Sequence, residues 1–452
     1  MIRYFSTNGR APIVALPEAL WRGQAPDRGL YLPERFPVLD RSTRASFASL
    51  EYPSIATQVL APYIAGTFSQ DELEKICRES YDFAVPLEPV RHRPGVWVLR
   101  LDGGPTASFK DFAARWMARV LGRLVAQKGE SLVILTATSG DTGSAVANAF
   151  HRVPGIRVVV LFPHREVSDR QRRQMTTLGD NIRTVAVQGK FDDCQALVKR
   201  AFADPLLQRF PLSSANSINI GRLLPQCVYY FYAASRVAGP DEPVVVVVPS
   251  GNFGNMMGAV LAWRMGLPVR RLVVPVNEND EFPRYLATGR YEKVEPARAC
   301  LSNAMNVGHP SNLARLVAVY GGWMDETGHV HRAPDLAAMR RDLFSVAASD
   351  DQTRAAMQEA WHGHALLLEP HGAVAWHGLR QYQQAENISE APVILLETAH
   401  PAKFPEEIEQ LLGFRPSEPP SLRGLEQLPE SYDILEPRYE SFRDYLIAHL
   451  SS

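Results

Sequence analysis

From about residue 130 onward, short continuous apolar runs alternate with stretches whose apolar positions recur at helical spacing. Residues 131–136 (SLVILT) run into a turn of Gly, Asp and Ser and then into a helical SAVANAFHRV; 157–162 (RVVVLF) precede a polar helix at about 169–178; 183–187 lead to a helix over 192–202. Further on, 243–249 (PVVVVVP) pass through SGNFGN into a helix at about 256–265, 271–276 open another unit, and 392–397 (PVILLE) form one more apolar run. Strands that are apolar at every position, rather than at every second one, belong to sheets covered on both faces. Regular strand–helix alternation predicts crossover connections and a mostly parallel sheet. The pattern therefore predicts an α/β core over about 96–415. Before it, 1–95 are richer in proline and in short helical patterns and read as a separate region. Beyond it, RPSEPPSLRG reads as a linker ahead of an amphipathic helix near 439–450.

With 452 residues the chain is long enough for two or three domains sharing a sizeable core. Its formal charge of −1 argues against a broad basic face for nucleic acid and against an acidic tail. The four cysteines (Cys77, Cys194, Cys227, Cys300) are far apart and lack CxxC or Cys/His ligand spacing, so free thiols are expected, with no disulfide framework and no metal site. The start, MIRYFSTNGR, lacks the apolar run of a signal peptide. No stretch approaches the roughly 18 apolar residues of a membrane span. The expectation is a soluble, cytoplasmic protein.

Composition changes the picture at one point. Only seven of the 48 basic residues are lysines, the rest being arginines. Lys75, Lys128, Lys190, Lys199, Lys293 and Lys403 stand among charged neighbours or near helix ends, as solvated lysines do. Lys110 stands in GGPTASFKDF, between two phenylalanines, and the helix it opens places Phe112, Trp116, Met117, Val120, Leu121 and Leu124 on one face. A lysine at such a buried helix start has its pKa lowered by desolvation and by the helix dipole, which suits a nucleophilic amine. A structural lysine pairing Asp111 fits the same context.

Four loops carry candidate chemistry. TATSGDTG (136–143) and SGNFGN (250–255) each join an apolar strand to a helix; their amides suit an anion, and a plain tight turn fits as well. SSANSINIGR (213–222) offers Asn216, Ser217, Asn219 and Arg222 within seven residues, the donor set for a phosphate dianion or, equally, a helix N-cap with a surface arginine. In ETAHPAKF (397–404), Thr398 at a strand end either meets a ligand or caps the next helix.

Taken together and in order, these segments resemble the threonine synthase family. The N-terminal YFSTNG and RGLYLPE (28–34), GPTASFKDF, TATSGDTGSAVA, SSANSINIGRLLPQ, VPSGNFGN, LSNAMNVGHPSN (301–312), EPHGAVAW (369–376) and ETAHPAKF all match family motifs, over residues 4 to about 413. The chain departs from the family at Gly103, where a histidine is usual, and at Asn306, where an acidic residue is usual. The resemblance implies the fold-type II architecture of pyridoxal 5'-phosphate enzymes: an α/β fold with a large domain, a small mobile domain and an added N-terminal domain. On that basis 1–95 is the N-terminal domain, 96–215 the first part of the core including the small domain, 216–415 the large coenzyme domain, and 416–452 a C-terminal linker and helix. It implies Lys110 as the residue that binds the coenzyme covalently, Gly251, Asn252, Phe253, Gly254 and Asn255 around the coenzyme phosphate, and Thr398 at the pyridine nitrogen. Ser139, Gly140, Asp141 and Thr142 would hold the substrate carboxylate, and Asn216, Ser217 and Arg222 its phosphate. The implied substrate is O-phosphohomoserine, for a monomer or homodimer without nucleic-acid or membrane partners. A serine/threonine dehydratase or cysteine synthase would need neither the NSIN–R segment nor the STNG region. A catalytically silent homologue binding the coenzyme or a phosphorylated metabolite would be free to lose Lys110 and Arg222.

Overall fold

The continuous apolar runs become the inner strands of two sheets. The structure is a computed structural model that describes residues 1–386 and 391–451. Leu132–Ala137, buried at all six positions, is flanked in parallel by Ile156–Pro163 and Leu212–Ser214. Ile182–Val187 and then Asp433–Leu435 extend this five-stranded sheet, again in parallel. The six-stranded sheet has the order Leu343–Phe344, Val269–Val273, Val244–Val247, Val393–Glu397, Val96–Arg100, Leu87–Pro89. Only its last strand is antiparallel to its neighbour. Helices cover the faces that these all-apolar strands cannot expose.

One expectation is corrected here. The segment after 415 is more than a linker and a helix. Asp433–Leu435 adds a strand to the five-stranded sheet, and the helix Tyr439–Leu450 buries Tyr439, Phe442, Leu446 and Leu450 in that sheet's core cluster. The sheets do not follow chain order. Val96–Arg100 pairs with Val393–Glu397 in the six-stranded sheet, not with the strands that follow it in sequence. Three-residue strands such as Leu87–Pro89 and Asp433–Leu435 are too short for a hydrophobic period to mark them.

The helix Lys110–Lys128 buries all six of the residues predicted for its inner face. Its Phe112 meets Tyr52, Tyr81, Phe83 and Tyr229 with ring centroids 5.0–6.1 Å apart, which fastens the N-terminal helices to the core. The N-terminal motifs form a three-stranded antiparallel sheet of Val14–Ala15, Arg3–Ser6 and Tyr31–Pro33. Asp27 staples it by accepting the Ser6 hydroxyl at 2.6 Å and the amides of Arg10, Ala11 and Gly29. All four cysteines are free, Cys300 alone being partly exposed. Among the described residues no helix is long and apolar enough to cross a membrane.

Candidate active site

Lys110 is the first residue of its helix, and the loop before it is tied to the end of the strand Val393–Glu397. Ala107 adopts the left-handed conformation (φ 54°), Ser108 bridges Ala399, and the Phe109 amide donates to the Thr398 carbonyl at 2.9 Å. Asp111 is not the partner of Lys110: its carboxylate accepts the Thr106 amide and hydroxyl at 2.8 and 2.7 Å. Lys110 Nζ instead lies 4.5 Å from the centre of the Phe109 ring. Burial lowers the Lys110 pKa to about 8; Lys403 and Arg222 push the same way, and Asp141 and Glu369 oppose them.

Val244–Val247 lies beside Val393–Glu397 in parallel, so SGNFGN leaves the same sheet edge as Thr398. Phe253 takes a left-handed turn (φ 59°) into the helix Gly254–Arg264. The backbone amides of Gly251, Asn252, Phe253, Gly254 and Asn255 have no hydrogen-bond acceptor among the described residues. Five such amides in the turn that opens one helix suit an anion. Two glycines there are required by close approach: a side-chain carbon at Gly251 would stand 2.6 Å from Met305 Cα, and one at Gly254 3.2 Å from Ser217 Cβ. The Asn255 side-chain oxygen accepts from the hydroxyls of Tyr229 and Tyr230, while its buried Nδ2 is without a partner among the described residues.

SSANSINIGR divides between both roles open to it. Asn219 is scaffold: it caps Ile220–Arg222 through the Gly221 amide and donates to Leu20 and Ser214 carbonyls. Asn216 spends one amide hydrogen on the Ala137 carbonyl at 2.8 Å. Arg222 is buried rather than on the surface; its guanidinium donates to the Ala215 carbonyl, and its Nε has no partner among the described residues. A buried guanidinium with a free donor is suited to an anionic ligand. Ser217 Oγ accepts from Asn252 Nδ2 at 2.7 Å, joining this loop to the amide cradle.

Sequence reasoning missed Arg315, which is fully buried in the helix Leu313–Val319. Its guanidinium donates to the Ser217, Ile218 and Tyr31 carbonyls and to Asn312 Oδ1 at 2.6–3.0 Å, with no carboxylate among these partners. Asn312 in turn donates to the Asn252 carbonyl at 2.9 Å. An arginine inside LARLVAV was the available signal, since arginine is almost never fully buried without a purpose.

In TATSGDTG, Thr138 Oγ1 accepts the amides of Gly140 and Gly143. The Gly140 amide is therefore spoken for, whereas those of Ser139, Asp141 and Thr142 have no partner among the described residues. The Asp141 carboxylate is buried and accepts from Lys403 Nζ at 2.9 Å and Gln171 Nε2 at 2.9 Å. Lys403 is thus no solvated lysine. Its side chain has 0% exposure, because its partner comes from the other sheet. Thr398 caps no helix, that role falling to His400; the Thr398 hydroxyl has no partner among the described residues.

These features fit the coenzyme that the resemblance implies: among the described residues, the Lys110 amine, the Thr398 hydroxyl and the five amides at 251–255 have no hydrogen-bond partner. His371 and Glu369 support them from behind. His371 Nε2 accepts the Ala304 amide at 3.1 Å and Nδ1 meets Glu369 Oε2 at 2.5 Å, which fixes Met305 against Gly251. The two departures also have a setting. A side-chain carbon at Gly103 would meet the Ala84 carbonyl oxygen at 2.5 Å. The Asn306 side-chain oxygen accepts from Asn277 Nδ2 and the Cys300 amide, as a carboxylate there also would.

Residues 84–398 match the family described as "Pyridoxal-phosphate dependent enzyme". Residues 3–81 match "Threonine synthase N terminus" and 372–446 match "Threonine synthase, C-terminal". The chain is 37% identical to the threonine synthase of Pseudomonas aeruginosa, over 99% of this chain and 98% of that one. It is similar to the crystal structure of PLP-bound threonine synthase from Brucella melitensis, with 34% identity, TM-score 0.91 and full coverage of both chains. The Escherichia coli threonine synthase structure superimposes with TM-score 0.88 at 35% identity, covering 99% of this chain and 100% of that one.

Proposed function

The chain belongs to the threonine synthase family of pyridoxal-phosphate dependent enzymes, and from its threonine synthase function we propose that the substrate is O-phospho-L-homoserine, converted with water to L-threonine and phosphate. The observation that carries the substrate is Arg222. It is buried with a free donor, on a loop distinct from the amide cradle at 251–255 but bonded to it. Two adjacent anion sites, one neutral and one cationic, suit a resident coenzyme phosphate and a departing substrate phosphate respectively.

Gly251, Asn252, Phe253, Gly254 and Asn255 hold the coenzyme phosphate, Lys110 binds the coenzyme covalently and Thr398 meets its ring nitrogen. Pyridoxal phosphate, when bound, acidifies the hydrogens on the carbon that carries the substrate amine. Lys110 Nζ, whose lowered pKa leaves a neutral fraction near physiological pH, takes the proton from Cα. Its amine holds one such proton at a time, so it gives up the first before it takes the Cβ proton as the free base in these motifs, and the two protons end on Cα and on Cγ, which becomes the methyl group of threonine. The amides of Ser139, Asp141 and Thr142 hold the substrate carboxylate, with Gly140 shaping their turn. Arg222, Ser217 and the remaining amide hydrogen of Asn216 hold the phosphate as it leaves Cγ, and water adds at Cβ. The five-stranded sheet is the small domain in this reading, and the enzyme works in the cytoplasm as a monomer or homodimer.

The test is direct. Purified protein loaded with the coenzyme is given O-phosphohomoserine, and phosphate and threonine are quantified. Equimolar release of both is expected. Ammonia and a 2-oxo acid in place of threonine would mean a dehydratase, and binding without turnover a silent homologue.

A further inference from the structure

The buried pair Lys403–Asp141 lies outside the roles assigned so far. Asp141 begins the helix Asp141–Phe150 on the five-stranded sheet, and Lys403 follows the strand Val393–Glu397 of the six-stranded sheet. Their side chains are 2% and 0% exposed and meet at 2.9 Å. Asp141 is hydrogen-bonded to Lys403 and Gln171 and lies within the electrostatic reach of Lys110 and His371; the charges acting on Lys110 are Asp141, Lys403, Arg222 and Glu369. One buried carboxylate therefore acts on the charge of two lysines, and it is hydrogen-bonded to the one that carries no assigned chemistry. A lone carboxylate at this place would do two kinds of harm. It would draw Lys110 into an ion pair and keep its amine protonated, and it would repel a substrate carboxylate arriving at the neighbouring amides.

We propose that Lys403 is a positioning residue for the reaction: by pairing with Asp141 it frees the Lys110 amine and leaves the amides of Ser139, Asp141 and Thr142 open to the substrate carboxylate. This rests on the reading of Lys110 and of 139–142 given above. Breaking a buried ion pair by removing one partner costs far more than replacing both by neutral groups. Its signature is therefore rescue by a second substitution.

Wild type, Lys403→Met, Asp141→Asn and the double variant are compared in two assays. The first is steady-state turnover of O-phosphohomoserine. Lys403→Met raises KM by about 30-fold or more, the scale on which truncating one partner of a buried charge pair weakens binding. It also moves the acid limb of kcat/KM to higher pH. The double variant recovers most of both losses, because Asp141→Asn keeps the backbone amide at that position and leaves the pocket neutral. The second assay needs no turnover: in coenzyme-free protein, the pH dependence of Lys110 acetylation by acetic anhydride is followed by mass spectrometry. The midpoint rises in Lys403→Met and returns in the double variant. Wild-type KM and an unmoved midpoint in Lys403→Met overturn the proposal. So does a double variant as impaired as, or less foldable than, Lys403→Met, which would make the pair a strut between the sheets. If Lys403→Met does not fold, the double variant alone decides, since folding with most of the activity supports the proposal and its loss overturns it. Absence of wild-type turnover would sink the substrate reading, while acetylation would still judge Lys403.

Discussion

Asn252 Nδ2 donates to Ser217 Oγ across 2.7 Å, so the cradle assigned to the coenzyme phosphate and the loop assigned to the substrate phosphate share a hydrogen bond. Asn252 also accepts the Ser311 amide through its side chain and Asn312 Nδ2 through its carbonyl. A shift of either loop alone breaks the bond between them. Asn252→Ala and Ser217→Ala should therefore be non-additive in kcat/KM, with a coupling of about 0.5–1.5 kcal/mol, the worth of one hydrogen bond. Strict additivity in the double-mutant cycle would mean that the loops act independently.

The amine of Lys110 sets a second expectation. Its pKa is lowered to about 8, so the nucleophilic neutral form gains population as pH rises through that value and is nearly complete above it. The rate at which coenzyme-free protein takes up pyridoxal phosphate, followed by its visible absorbance, should rise with pH through about 8 and then level off. Lys110→Ala should show neither that absorbance nor activity. A midpoint at about 10.4, where an ordinary lysine titrates, would contradict the burial argument.

Thr398 offers its hydroxyl with no competing partner among the described residues, and its carbonyl holds Phe109 beside Lys110. Thr398→Val keeps the volume and the backbone bond while deleting the hydroxyl. A loss of about 1–3 kcal/mol in catalysis or coenzyme affinity is expected. Unchanged kinetics and coenzyme affinity would remove Thr398 from the pyridine nitrogen.

Arg222 separates the two phosphate sites. Arg222→Ala should leave coenzyme binding intact and lower kcat/KM for O-phosphohomoserine by about 2–5 kcal/mol, roughly 30- to several-thousand-fold. Slow side reactions with serine or threonine should fall much less. Equal losses on both kinds of substrate would make Arg222 structural.

What the sequence revealed follows the range of the forces involved. The inner strands were legible because burial on both faces writes itself into consecutive residues, as in 132–137 and 244–247. Lys110 was legible because its helix repeats an apolar face immediately after it. Lys403 was not, because the acidic residues near it in sequence, Glu406 and Glu407, are not its partners; Asp141 is, from 262 positions away. Arg315 was overlooked for a related reason. Three of its four acceptors are backbone carbonyls, of Tyr31, Ser217 and Ile218, which no side-chain pattern encodes. The strand Asp433–Leu435 has only three residues, two of them exposed, and its place is set by the edge it meets at Val185–Val187.

The interleaving of the sheets has a consequence for synthesis of the chain. Val393–Glu397 is an inner strand of the six-stranded sheet, and Asp433–Leu435 closes one edge of the five-stranded sheet. Neither sheet can be completed until nearly the whole polypeptide has left the ribosome. Until then Val96–Arg100 lacks its parallel neighbour, and the backbone of Ile182–Val187 presents an open edge to any other strand nearby. A nascent chain of this protein is thus most exposed to mispairing late in translation, and a truncation before 433 would make that transient edge permanent.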